Sequence, residues 1–174
     1  MKTLPQFTVR SLPIALVAFL AFGAAQSASA QASASANATA TIVPAITISK
    51  TSDLQFGLIV AGPGGTLMVG TDSSRTVNGP AGLTNASYPV SAASFTVTGG
   101  ANLTYSVSLP TSVSLSGPSS STMSVTSFTS NPSSTGTIGA GGTSTLTVGA
   151  TLTVGAAQTA GSYTGTFSVT VNYQ

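Results

Sequence analysis

The chain contains no histidine, cysteine or tryptophan among its 174 residues, and no charged side chain follows Arg75. Most enzyme chemistry needs a residue that titrates, binds a metal or holds a charge. A Ser-His-Asp triad is impossible without histidine, and no motif supports a serine–lysine pair on Lys50. We therefore predict that the protein is not an enzyme and has no catalytic, cofactor-binding or metal site.

Carboxylates are almost as scarce, because Asp53 and Asp72 are the only two. Two carboxylates are enough for an acid–base pair or for part of a calcium site. Each of them, however, stands in a turn-like stretch with a cation close by in the sequence. This pattern favours a local ion pair between Lys50 and Asp53, and an Asx-type turn at Asp72 with an exposed pair to Arg75.

Residues 1–30 have the parts of a secretory signal peptide: a positively charged start, an apolar run over residues 12–23 and a small-x-small pattern at the end. We expect cleavage before Gln31, although cuts after Ala34 or Ala36 also fit the pattern. The apolar run is shorter than the roughly 20 residues that span a bilayer, which disfavours the alternative of an uncleaved anchor. We predict export to the periplasm, the outer surface or the medium, with no transmembrane segment left after cleavage.

Cleavage would also remove Lys2 and Arg10, which account for the formal charge of +2. The mature chain would keep two cations and two carboxylates, so its net side-chain charge would be zero. Two cations cannot form the basic patch that a nucleic acid requires, and we predict no nucleic-acid partner. The absence of cysteine excludes disulfide bonds, and the roughly 144 remaining residues suffice for one domain with a hydrophobic core.

After residue 30 the chain divides into a leader and one domain. Residues 31–40 are small and polar, which predicts a flexible leader. Residues 41–174 contain short runs rich in threonine and valine, separated by glycine-, proline- and asparagine-rich clusters, with no amphipathic helix pattern. Strands are predicted at residues 41–49, 54–60, 66–69, 92–98, 103–109, 122–128, 144–154 and 163–173. This spacing predicts an all-β, immunoglobulin-like sandwich of about 7–9 strands.

The first predicted strand carries Ile42, Ile46 and Ile48 on one face. Pro44 shares that face, and proline cannot donate to a ladder, so the strand is expected at a sheet edge or at a switch between sheets. The three isoleucines are therefore candidate contacts of a first strand or of a donor strand. Such a strand would complete either its own domain or that of a neighbouring copy.

The sequence TLTVGA occurs twice in succession, at residues 145–150 and 151–156. Because six is an even number, the apolar side chains stay on one face through both copies. Two copies are too few for a β-helix of hexapeptide repeats, so one long strand with a bend or bulge near Gly149 is favoured. Residues 163–173 alternate apolar and hydroxylated side chains and are the clearest strand prediction.

Tyr88 and Tyr105 are candidate contacts to a sugar or another polymer, since their rings offer apolar faces with a polar tip. Both tyrosines lie in a stretch rich in threonine and serine. Packing within the core or across strands is therefore the alternative role, and the sequence favours it.

Several blocks of the chain resemble one protein family, in the same order. They are ATIVPAITISK at residues 40–50, DLQFG at 53–57, AASFTVTG at 92–99, GATLTVG at 149–155 and GSYTGTFSVTVNY at 161–173. On these blocks the chain is identified as a member of an exported bacterial family of domains of unknown function, DUF4402, over about residues 36–174.

The Leu-x-Phe-Gly block and the tyrosine-ended last strand are also similar to chaperone–usher pilins and spore-coat-protein-U-like domains. That resemblance implies an immunoglobulin-like sandwich that a neighbour's N-terminal strand can complete. Many of those pilins contain a disulfide, which this chain cannot form.

Together these features predict a non-enzymatic structural protein, a pilin-like or coat-like subunit of a bacterial cell-surface assembly. Its expected partners are itself or related subunits, joined by strand addition. Soluble monomers usually carry charges that prevent edge pairing, and the chain after Arg75 has none. The alternative function is that of a surface adhesin or binding module, which recognises a glycan or other polymer through Tyr88 and Tyr105.

Overall fold

The computed structural model describes residues 31–60, 62–79 and 88–174. The predicted signal peptide lies outside the described residues. Residues 31–39 have no secondary structure and are exposed. Ala40–Gln174 form one compact unit, and all of the strands belong to it.

The alternating sequence folds into twelve strands within the described ranges, and nine of them contain four residues or more. The described residues form no α-helix, only a short 3-10 turn at Pro118–Ser120. The predicted all-β class is therefore confirmed. The strands are β1 (Thr47–Ser52), β2 (Gln55–Phe56), β3 (Gly65–Val69), β4 (Arg75–Asn78), β5 (Val90–Ser91), β6 (Ala93–Thr98), β7 (Thr104–Ser108), β8 (Ser112–Ser116), β9 (Thr122–Asn131), β10 (Thr135–Thr137), β11 (Thr143–Val154) and β12 (Thr170–Tyr173).

The largest sheet is built around β11, and every pairing in it is antiparallel. Strand β6 pairs with residues 143–148 of β11, and β3 pairs with residues 150–154. Strand β9 pairs with the other edge of β11. Thr147 and Val148 of β11 therefore have partners in both β6 and β9. Strands β8, β1 and β4 extend this sheet outward from β9, β6 and β3 respectively.

The duplicated hexapeptide forms one strand, as predicted, with an irregularity at its centre. The register of β11 against β9 shifts between Gly149 and Thr151, which marks a bulge. Glycine is required there because a Cβ on residue 149 would overlap the carbonyl oxygen of Val69. The close approach lies where β6 ends along β11 and β3 begins.

A second sheet of three strands, in the order β10-β7-β12, packs against the large sheet. The core between them joins buried Val97, Leu146 and Val148 of the large sheet with Tyr105 of β7 and Val171 of β12. Burying these side chains from both sides is the main source of stability in a two-layer fold. Strands β2 and β5 form a separate two-stranded ladder.

Three predicted strands form over less than half of their predicted range. The first begins at Thr47, because its partner β6 ends at Thr98, which is paired to Thr47. The run at 54–60 yields only β2, since Gly57 takes a φ of +78° directly afterwards. The run at 163–173 yields only β12, and strands β4, β5, β8 and β10 have no counterpart among the predicted strands.

Candidate functional site

Both carboxylates have local partners. Lys50 Nζ donates to Asp53 Oδ1 at 2.6 Å, and both side chains are exposed. Asp72 Oδ1 accepts the Ser74 backbone N–H at 3.0 Å and the Ser74 hydroxyl at 2.5 Å. These two hydrogen bonds stabilise the ionised carboxylate and lower the pKa of Asp72. The predicted ion pair at Lys50 and the predicted Asx-type turn at Asp72 are confirmed.

Arg75 corrects one part of that prediction, because its guanidinium does not pair with Asp72. Its Nη2 donates to the Leu58 carbonyl at 2.8 Å, and its buried Nε has no partner among the described residues. Partial burial lowers the pKa of Arg75, since it disfavours the charged form. The arginine therefore holds the loop after β2 instead of forming an exposed pair.

The two candidate tyrosines occupy opposite environments. Tyr105 is 0% exposed, and its hydroxyl lies 3.0 Å from Ser144 Oγ. The prediction that Tyr105 contacts a polymer is therefore wrong, and it has the alternative role of a core residue. Tyr88 is 54% exposed and borders the cleft described below, so it remains available to a ligand.

The three candidate isoleucines are also divided by the structure. Ile46 and Ile48 are half-buried and pack against the core of their own domain. Ile42 is 96% exposed. Ile46 and Ile48 thus pack within their own domain, whereas Ile42 does not contribute to its core.

A tyrosine at the end of β12 fixes the point where the N-terminal segment leaves the sheets. Tyr173 Oη accepts the Gly100 backbone N–H at 2.7 Å and donates to the Pro44 carbonyl at 2.9 Å. These bonds connect the last strand to the turn after β6 and to the residues before β1. Pro44 is consequently held beside the C-terminal end of β12.

Residues 165–169 form a segment with the side-chain pattern of a strand but without a backbone ladder, although Gly165 lies close to the backbone of Ser114 and Leu115 in β8. Phe167 and Val169 are half-buried and their neighbours exposed, in continuation of the alternation in β12. Thr164 is joined to Ser116 by backbone bonds of 2.8 and 3.0 Å, and the ladder with β7 begins at Thr170. Between these points, no backbone hydrogen bond connects the segment to any other residue that the structure describes. We call residues 165–169 the unpaired segment.

Beside the unpaired segment lies an apolar cleft of about 760 Å³, a volume within the range of ligand sites. Its floor includes Val125, Leu152 and Val154 of β9 and β11, which belong to a second buried cluster. Six half-buried apolar side chains also line the cleft: Leu54, Phe56, Ile59, Leu115, Met123 and Phe128. A smaller cavity of about 220 Å³ also touches Gly165 and Phe167. The unpaired segment therefore has open space around it.

Phe167 stands between the cleft and the main core. Its ring lies 5.1 Å from the ring of Phe128 and 6.4 Å from that of Phe95, the second pair being edge-to-face. Both separations fall in the range of favourable aromatic pairs. The inward face of the unpaired segment is thereby anchored, even though its backbone is not.

One end of the cleft is held by a set of polar contacts. Gln158 Nε2 donates to Tyr163 Oη at 2.7 Å, and Tyr163 Oη donates to the Thr159 carbonyl at 2.7 Å. Gln158 Nε2 also reaches the Thr122 carbonyl at 3.2 Å, at the start of β9. These bonds fix the loop that precedes the unpaired segment, so the opening of the cleft is preformed.

Comparisons with known proteins identify a family without a described activity. Residues 46–173 match the model of a family described as Domain of unknown function (DUF4402). The match spans all twelve strands, the residues that line the cleft, and the unpaired segment. Neither the curated proteins nor the solved structures contain a match to the chain. In the described part of the chain, no helix is long and apolar enough to cross a membrane.

Proposed function

The chain belongs to the family of domains of unknown function DUF4402, and from its structure we propose that it is a structural subunit of a bacterial cell-surface assembly. The proposed subunit is pilin-like or coat-like, is exported by its N-terminal signal, and has no enzymatic activity. It joins copies of itself or related subunits by strand addition.

The unpaired segment beside the apolar cleft is the observation that carries this proposal. Backbone N–H and C=O groups are normally hydrogen-bonded in a folded protein, and an extended segment whose backbone is not paired is a template for another chain. Half-buried apolar side chains line the cleft, so covering the cleft would bury more apolar surface and would be favourable. A partner strand supplies both requirements at once.

The charge distribution supports the same function. No charged residue occurs in the unpaired segment or among the residues that line the 760 Å³ cleft, and the Lys50–Asp53 pair borders only the smaller cavity. Charged side chains at such a place are a usual defence against edge-to-edge association. Their absence favours a chain that associates as part of its function.

Light scattering of the purified chain, residues 31–174, tests this proposal. We expect species larger than one subunit, whose mass rises with protein concentration. A matched variant lacking residues 31–43 should show less assembly while keeping the β-rich circular dichroism spectrum. A chain that stays strictly monomeric at its highest soluble concentration, alone and with its co-purifying surface proteins, would contradict the proposal.

The second candidate function is adhesion, and Tyr88 is the observation that favours it. Its exposed ring stands at the edge of the cleft, where it can stack on a sugar. An adhesin would bind a glycan array as a monomer, and the signal would disappear in Tyr88→Ala. Tyr88→Phe is the control, since it keeps the ring and removes only the hydroxyl.

A further inference from the structure

We propose that the cleft receives the N-terminal segment of a second copy of this chain, with Ile42 entering the cleft and the backbone pairing to residues 165–169. This inference rests on the proposed function and names the site and the occupant that join two subunits. We call residues 32–42 the arm.

The arm has a stricter alternation than its low complexity suggests. Every even position from 32 to 40 is alanine, and position 42 is isoleucine. Every odd position from 33 to 41 is serine, asparagine or threonine. In an extended chain this places all the apolar side chains on one face and all the polar ones on the other. The arm thus has the pattern of a strand that packs on an apolar surface with one face and exposes the other face to water.

The small size of the alanines fits an inserted strand. A strand that lies over an already built apolar floor needs to bring little side-chain volume with it. Ile42 is the one large residue on the apolar face, and it is 96% exposed in its own domain. Burial of an apolar side chain of that size is favourable, because it removes the side chain from water, and this supplies a reason for Ile42 to enter a neighbour's cleft.

Ile42 of the same copy lies away from the cleft, since it is 96% exposed and is not among the residues that line the cleft. Tyr173 holds Pro44, and Ile42 is only two residues away, which is at most roughly 7 Å of chain. Phe167, at the cleft, is six residues from Tyr173, or roughly 20 Å along an extended strand. The Tyr173–Pro44 hydrogen bond thus keeps Ile42 near the other end of this stretch, and we infer that the cleft it enters belongs to another molecule.

This separation also decides the form of the assembly. The point where the chain leaves the sheets and the cleft lie at opposite ends of the 165–173 stretch. A contact between two different surfaces of identical subunits is heterologous, and it yields an open chain unless the rotation happens to close a ring. We infer head-to-tail growth in which each copy donates one arm and receives one.

Cysteine cross-linking tests the site directly, because the chain contains no native cysteine. Thr41→Cys places a thiol on the outward face of the arm, and Thr166→Cys or Ser168→Cys places one on the outward face of the unpaired segment. Cross-strand neighbours share a face, so mixing the arm variant with either acceptor variant under mild oxidation should give a disulfide-linked dimer. Met68→Cys, exposed on β3, is the control acceptor. We expect roughly tenfold more dimer with the unpaired segment than with this control, because pairing raises the local thiol concentration.

Two further variants make the result specific to one face of the arm. Ile42→Asp should abolish the cross-link, whereas Val43→Asp, on the opposite face, should leave most of it. Equal cross-linking to residues 68 and 166 would overturn the inference, and so would an unchanged yield with Ile42→Asp. If the chain assembles in light scattering but shows either result, the cleft is not the acceptor while the proposed function stands. If it neither assembles nor cross-links, both fail.

Discussion

Gly149 shows how one residue decides the course of the longest strand. It lies in the centre of β11, at the bulge, with the backbone of Val69 and Gly70 directly against its Cα. The sequence predicts the position of this irregularity, because glycine interrupts an otherwise regular valine, leucine and threonine pattern. The reason is not visible in the sequence, since the close approach comes from a strand about 80 residues earlier.

We predict that Gly149→Ala lowers the free energy of unfolding by about 2 kcal/mol, because the added methyl group must displace the backbone of β3. Thermal or urea unfolding followed by circular dichroism measures this. Gly141→Ala is the matched control, since a Cβ there meets no atom within 4 Å, and its effect should stay within about 0.5 kcal/mol. Equal stabilities of the two variants would show that the bulge tolerates a side chain.

Tyr88 and Tyr105 show what the sequence leaves undecided at the same scale. Both occur in comparable serine- and threonine-rich surroundings, yet one is half exposed and the other completely buried. The difference arises because Tyr105 points into the layer between β7 and β11, where its hydroxyl is hydrogen-bonded to that of Ser144. Such a partner, 39 residues away, is set by topology and not by local pattern.

At the scale of the element, an alternating sequence specifies a strand but not its neighbour. Residues 163–173 alternate throughout, and only residues 170–173 find a ladder, with β7. Residues 41–46 likewise alternate beyond the end of β6. Residues 165–169 form the proposed acceptor edge, whereas only residues 41 and 42 of the predicted first strand belong to the proposed arm. That relation cannot be read from the sequence because pairing is a property of two segments.

Truncation separates the residues that build the domain from those that extend beyond it. A chain beginning at Pro44 keeps β1 with Ile46 and Ile48, so we predict an unfolding temperature within about 2 °C of the full residues 31–174, measured at low concentration. A chain beginning at Lys50 loses both isoleucines and half of the β1 ladder.

For that shorter chain we expect a loss of about 2–3 kcal/mol, or roughly 10 °C in a domain of this size. Calorimetry of the two truncated proteins decides the matter. Equal destabilisation by both would mean that residues 31–43 complete their own domain, and this would contradict their proposed role in a neighbour.

At the scale of the whole molecule, the near-absence of charge is the most informative property of the sequence. It predicts little about the fold, which follows from period-two patterning and turn residues. It does restrict the site, because the residues that line the cleft are uncharged and recognition there depends on shape, apolar contact and hydrogen bonding. The cleft and the unpaired segment provide those three means of recognition. Neither of them could be located from the sequence alone.

Imaging bacteria that produce the chain tests the central claim most directly. Immunogold electron microscopy with an antibody to the domain should label a surface filament or coat along its length, and deleting the gene should remove that structure. Restoring a gene whose product lacks residues 31–43 should return the exported protein without the labelled assembly. Exported protein that stays dispersed, with no labelled surface structure and no difference between the producing and the deleted strain, would contradict the account.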